Sequence, residues 1–209
     1  MQGDAIELNV VPNDRDILIA NNNLSQINNT LSQPFWGIGI GIAGVAYSDA
    51  FPDGEVAQNF VIEGNTISGA RQGIHVESGK SFTIQNNALN DISSSYSPNA
   101  GLETAGIVTY GSAQFTIENN TIARHDMGPG ILIAPGVTHV RYVGLPITRY
   151  VGLPINFSVD GNKMNDLSAM KGIRWATAGS VSITNNTGKS LSYTGGPKAM
   201  NISGNAWTP

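Results

Sequence analysis

Cysteine is absent from the 209 residues. That removes disulfides and thiol catalysis, and it suits a chain made in a reducing compartment. Charge is scarce as well: charged residues make up 12% of the chain and the net charge is -4. No basic surface is available to attract nucleic acid or anionic lipid. No uninterrupted apolar run approaches the ~20 residues of a membrane-spanning helix, and no positively charged segment with an apolar stretch opens the chain. We therefore expect neither a nucleic-acid nor a membrane partner. A sustained helical period is missing too, and so is any His or Asp spacing of the recognised metal-binding kinds, so no cofactor and no metal are expected.

What the chain has instead is repetition. A short phrase returns seven times: ILIANN from Ile17, FVIEGN from Phe60, FTIQNN from Phe82, FTIENN from Phe115, FSVDGN from Phe157, VSITNN from Val181, and NISGN entered by Met200. Every copy ends in Asn, at Asn22, Asn65, Asn87, Asn120, Asn162, Asn186 and Asn205. Its apolar residues alternate with polar ones, the period of a half-buried strand. Two residues past the Asn another apolar side chain follows in six copies (Leu24, Ile67, Leu89, Ile122, Met164, Trp207), with Gly188 the exception. The Asn therefore sits at a corner between buried positions, where it tolerates a left-handed backbone and can pair with the Asn above and below.

Successive copies lie 43, 22, 33, 42, 24 and 19 residues apart, a minimum near twenty with a variable excess. Stacking fixes only strands, so the excess belongs in loops. A second phrase, Gly-apolar-spacer-apolar, interleaves at Gly73, Gly106, Gly130 and Gly172, with the run GIGIGIAG from Gly37. These features predict an all-β fold: one domain over 1-209, a single-stranded right-handed parallel β-helix of about seven coils, with two strands per coil and a short third side. Long loops are expected at 25-36, 43-58, 90-105 and 135-156, the last carrying the duplication RYVGLPI at Arg141 and Arg149. The chain enters its first strand almost at once, without a cap, so we expect a fragment or a first coil covered by another chain.

At GDAIELNVVPNDRDILI, WGIGIGIAGVAYSDAFPDGEVAQNFVI, RQGIHVESGKSFTIQNN and AGIVTYG the chain resembles the central β-helix of bacteriophage tailspike depolymerases that attack enterobacterial capsules, and the related WcaM-type colanic acid biosynthesis proteins. The likeness runs from Gly3 to about Asn162. It implies a right-handed β-helix, a homotrimer in the phage members, that cleaves or binds a bacterial polysaccharide. It also implies a virion-borne, extracellular setting.

The candidate site follows from strand geometry. With Ile6, Ile38, Ile74, Ile107, Ile131 and Ile173 inward, their successors form an outward column: Glu7, Gly39, His75, Val108, Leu132, Arg174. Two positions on, the column reads Asn9, Gly41, Glu77, Tyr110, Ala134, Ala176. Glu7 and Glu77, two coils apart, have backbones roughly 9.6 Å apart and carboxyls about 7 to 11 Å apart, near the range of an inverting glycosidase pair. We expect Glu7, Glu77 and His75 to be catalytic and Arg71 to bind an acidic sugar. Asn9, Tyr110, Trp36, Tyr47, Asp53 and Arg174 complete the expected substrate contacts. The competing readings are a lyase, using a basic residue on an acidic sugar, and a noncatalytic solenoid whose outward polar residues are simply solvated and whose His75 is structural.

Overall fold

The computed structural model describes residues 4–8, 15–27, 37–43, 57–97, 103–123, 129–134, 155–165, 173–177, 180–195 and 199–207. Its strands form three sheets, and each turn of the chain gives one strand to each sheet, with Ala57–Gln58 a short extra strand on the second, so seven rungs stack into a right-handed parallel β-helix. The first sheet orders Ile6–Leu8, Ile38–Ala43, Gln72–Glu77, Ala105–Tyr110, Ile131–Ala134, Ile173–Thr177 and Leu191–Gly195. The second runs through Leu18–Ala20, Val61–Glu63, Gly79–Gln85, Ala113–Glu118, Ile155–Asp160, Ser180–Thr184 and Ala199–Ser203. These are the strands of the Asn phrase.

The short third side is a sheet in its own right, from Asn23–Ser25 through Thr66–Ala70, Ala88–Ile92, Thr121–Ala123, Lys163–Asn165 and Thr187–Gly188 to Ala206–Trp207. Neighbouring strands in all three sheets pair in parallel. Most of the four expected loops lie outside the described residues. Within 43-58, Ala57–Gln58 is a strand; within 90-105, the third sheet runs on to Ile92 and a 3-10 turn occupies Ser94–Tyr96.

Period-two alternation sends one set of side chains into the space between the sheets. The first sheet contributes Ile40, Ile42, Ile74, Val76, Ile107, Ile131 and Ile133, the second Ile62, Ile84, Ile117 and Val159, and the third Ile67, Leu89, Ile122 and Met164. Phe60, Phe82, Phe115 and Phe157 stack ring on ring, with centroids 4.6, 4.9 and 5.2 Å apart. Identical residues in adjacent rungs are held one strand spacing apart, which is also a favourable distance for parallel-displaced rings. The exception at Gly188 has a packing reason. A Cβ there would meet Met164 Cε at 3.2 Å and the Trp207 ring at 3.4 Å, so the missing side chain makes room for its two larger neighbours.

The recurring asparagines form a continuous ladder. Oδ1 of Asn65 accepts the backbone N–H of Asn22 at 3.0 Å and its Nδ2–H at 2.9 Å. The same two bonds join Asn65 to Asn87, Asn87 to Asn120, Asn120 to Asn162, Asn162 to Asn186 and Asn186 to Asn205. Each amide from Asn65 onward also reaches a carbonyl of the preceding rung, as Asn120 Nδ2 does to Ile84 O at 3.0 Å. One expectation needs correction: the left-handed residue is not the ladder Asn but the one before it. Asn21, Gly64, Asn86, Asn119, Gly161, Asn185 and Gly204 have φ between 54° and 67°. This explains why that position is always Asn or Gly, the residues that enter the left-handed region at least cost.

The register of the second rung also differs from expectation. Ile40, not Ile38, pairs with Ile74, and Ile38 pairs with Gln72. Gly39 thereby joins Gly73, Gly106 and Gly130 in one column at the entrance to the first sheet. A Cβ on Gly39, Gly73 or Gly106 would lie 2.6, 2.7 or 2.8 Å from the carbonyl oxygen of the next glycine. It would also press on Ile67, Leu89 or Ile122 of the third sheet. Only glycine fits where the two sheets close on each other.

The ladder sets a test of stability. Asn120→Ala removes bonds on both sides and leaves the buried Asn87 N–H without its acceptor, so it is expected to cost about 3 kcal/mol in urea unfolding; Asn205→Ala, half-exposed at the last described rung, is expected to cost about 1 kcal/mol.

Candidate functional site

The corrected register redraws the outward columns of the first sheet. Glu7 stands beside Gly41 and then His75, followed by Val108, Leu132 and Arg174. Two residues along, Ala43, Glu77, Tyr110 and Ala134 stand in line. Gly41 and Ala43 thus replace Gly39 and Gly41 as the small residues between the ionisable ones. Above them the flank turns apolar: Ala105, Val108, Tyr110 and Leu132 form a separate buried cluster.

Three of the expected residues come together. His75 Nε2 lies 3.2 Å from Glu77 Oε1, and the His75 ring centre is 5.4 Å from that of Tyr110 on the next rung. His75 is buried, whereas Glu77 keeps 20% of its side chain exposed. Glu7 is exposed. It is two rungs and two residues from Glu77, a diagonal of about 12 Å between backbones at standard strand spacings. Arg71 sits at the bend entering the first sheet, and its Nη1 donates to the carbonyls of Ser97 at 2.7 Å and Ser94 at 3.4 Å. Arg174 occupies its column position at the sixth rung. Asn9, Trp36, Tyr47 and Asp53 lie outside the described residues.

Two further residues belong to this flank that pattern reading passed over. Gln72, fully buried, accepts at Oε1 from His75 Nδ1 over 2.6 Å and donates from Nε2 to the Glu103 carbonyl at 2.6 Å. Asp4, just before the first strand, accepts the Ile38 N–H at 2.7 Å. Neither belongs to a repeated phrase, so neither has a periodic signal. The one usable sign for Gln72 was a long amide in the column that holds Ile38 and Ala105.

Burial raises the Asp4 carboxyl above its ordinary value of 3.8, against the opposing pull of the Ile38 N–H, the charge of His75 and the Gly37 N–H. A carboxyl held in its protonated form more strongly when folded than when unfolded binds extra protons in the native state. Stability therefore falls as pH rises from 3.8 through the raised value. Comparing urea midpoints of the wild type and Asp4→Asn across this window is expected to show the advantage of the wild type shrinking as pH increases. A constant difference would contradict the shift.

Among the described residues no group of three or more His, Cys, Asp or Glu is arranged to hold a metal ion, and no helix is long and apolar enough to cross a membrane. A depression of about 490 Å³ lies on the second sheet, lined by Thr116, Ser158, Ser182 and Asn201 among others and without a charged side chain. The ionisable cluster is on the first sheet instead.

Comparison with known proteins adds a family to this geometry. The chain is 42% identical over 146 residues to the colanic acid biosynthesis protein WcaM of Salmonella typhimurium, and 41% to that of Shigella flexneri. Each alignment covers 70% of this chain and 31% of the relative, so the chain spans about a third of the length of these curated relatives. Among solved structures, the A-module of the mannuronan C-5 epimerase AlgE6 from Azotobacter vinelandii matches with a TM-score of 0.62 at 16% identity, covering 100% of this chain and 49% of that one. The AlgE4 A-module matches at 0.53 and 16% identity, covering 96% and 47%. At such identities the likeness bears on the fold alone, and it is to parallel β-helices. Residues 1–193 match the family model described as colanic acid biosynthesis WcaM, and the chain belongs to that family.

Proposed function

We propose that this chain acts on a bacterial exopolysaccharide, holding the polymer along the outward flank of the first sheet and cleaving it by acid–base hydrolysis. The single observation behind this reading is the His75–Glu77 contact of 3.2 Å on the flank where Glu7 shares the His75 column. Glu77 is the proton donor to the departing sugar oxygen, since it is partly exposed and has a proton-exchanging partner at its back. Glu7 activates water from the opposite side of the bond. Its diagonal of about 12 Å between backbones leaves two flexible glutamate side chains to reach the about 6.5 to 9.5 Å of an inverting pair. Gly41 between them lets a sugar ring approach the strand. WcaM relatives are named for colanic acid biosynthesis, which makes that polymer the first substrate to try.

The 5.4 Å approach of the His75 and Tyr110 rings favours a second reading, elimination on an acidic sugar with the imidazole and the phenol exchanging protons on either side. A third, noncatalytic reading draws on the burial of His75: a solenoid that binds glycan without cutting it. Incubation with colanic acid and a panel of capsular polysaccharides separates them. Reducing ends without unsaturated products mean hydrolysis, both together mean elimination, and binding with neither means the noncatalytic solenoid. If hydrolysis is right, Glu77→Gln and Glu7→Gln should each lower the rate by about 100-fold or more; unchanged rates in both would reject the pair.

The tailspike side of the resemblance adds a homotrimer and a virion-borne, extracellular setting to the depolymerase reading. Native mass spectrometry reads the assembly directly. The trimer requires three times the 22.0 kDa of one chain, and a single-chain mass would remove it.

A further inference from the structure

We propose that Gln72 is a positioning residue that fixes His75 as its Nδ1–H tautomer, leaving Nε2 and Glu77 to share one proton. The argument starts from the Glu103 carbonyl, which can only accept. At 2.6 Å from Gln72 it must face the amide's NH₂ group, which turns Oε1 towards His75. Oε1 also only accepts, so Nδ1, 2.6 Å away, must be the nitrogen that carries hydrogen. Both side chains are buried, Gln72 completely, and no solvent is at hand to substitute for either partner. A fully buried amide in a column with Ile38 and Ala105 has no packing advantage over the aliphatic side chains beside it. Its hydrogen bonds are what it contributes.

The consequence falls on the other nitrogen. Nε2 and Glu77 Oε1 are 3.2 Å apart, a distance at which two bare lone pairs repel. One proton between them, on the carboxyl or on the ring, turns the contact into a hydrogen bond. Among the described residues the titratable groups around this pair include Asp4 on the first rung, Glu7 in the His75 column, Tyr110 on the fourth rung, and Glu103, which meets Gln72 through its main chain. In the hydrolytic cycle the Glu77 O–H bond breaks as its proton passes to the departing sugar oxygen. The carboxylate left behind faces the Nε2 lone pair, and a solvent proton taken up at Nε2 restores the contact. Only this catalytic consequence rests on the proposed function; the tautomer rests on the geometry of Gln72 alone.

Long-range proton–nitrogen NMR of the histidine-labelled chain tests it without any polysaccharide. The His75 signal is assigned by its loss in His75→Asn. The wild type is expected to show hydrogen on Nδ1. Gln72→Leu should release the ring to a mixture or to the Nε2–H form, and Gln72→Glu, which keeps an acceptor at Nδ1, should retain hydrogen there. A wild-type ring protonated only at Nε2 would overturn the proposal even if no variant folds, as would an unchanged tautomer in Gln72→Leu. If the chain cleaves polysaccharide, Gln72→Leu is expected to lose about tenfold or more in kcat with KM within about twofold. An unaltered kcat in a variant whose tautomer has switched would remove the positioning role and leave the hydrolytic reading standing.

Discussion

A chain that turns a corner between two buried strands must find partners for the amides it exposes there, and in this protein they come from the neighbouring rungs. Each ladder asparagine accepts from the main chain and side chain of the one before it and donates to the one after, at 2.9 to 3.0 Å throughout. The backbone does part of this, as Asn21 N–H donates to Glu63 O and Thr66 N–H to Asn22 O, while the N–H of the ladder Asn goes to the side-chain oxygen of the next rung. A side-chain amide carries both a donor and an acceptor on one short stem and bridges the gap. The left-handed residue just before it sets the angle of the bend. Everything inside the helix, including the stacked phenylalanines, inherits its alignment from that corner.

Alignment of the corners also determines which outward residues meet. Once rungs are held in register, a side chain three rungs away has a fixed place in a column, however many residues the connecting loop contains. Gln72 and Glu77 share the third-rung strand of His75, while Asp4 comes from the first rung and Tyr110 from the fourth, and all four bear on His75. The chemistry of this flank therefore combines a local strand, Gln72–Glu77, with neighbours that only stacking brings to it. Its polar character is interrupted where Val108 and Leu132 take over the His75 column, which separates the early-rung cluster from Arg174.

Much of the scaffold was legible from residues alone. Asn22 through Asn205 marked the corner, Phe60 through Phe157 the stacked core position, and Leu24 through Trp207 the third face, because each recurs with a period that only a repeated rung produces. The site was legible in part. His75, Glu77 and Tyr110 follow from alternation along two strands with a secure register, and they do lie together. Arg71 looked like a basic residue on the same flank, but it enters at the bend, where its guanidinium reaches the Ser94–Tyr96 turn and its neighbour Ser97. Asp4 and Gln72 had no pattern to announce them, since a single polar residue at the edge of a strand repeats nothing.

By itself the sequence determined the repeat, the three faces of each rung and the parity that sends Glu7, His75 and Glu77 outward. Those are consequences of periodic side-chain chemistry, and they survive any uncertainty about loops. Only the tertiary structure decided the register of the second rung, because GIGIGIA matches itself when slid by two residues and keeps every isoleucine inward in both settings. The choice is made by the glycine column. Gly39 must lie against the Gly73 carbonyl and the Ile67 side chain, where no Cβ can go, and that contact between two sheets has no counterpart in the linear pattern. The direction of the Gln72 amide was decided the same way, by a carbonyl at Glu103 one rung later.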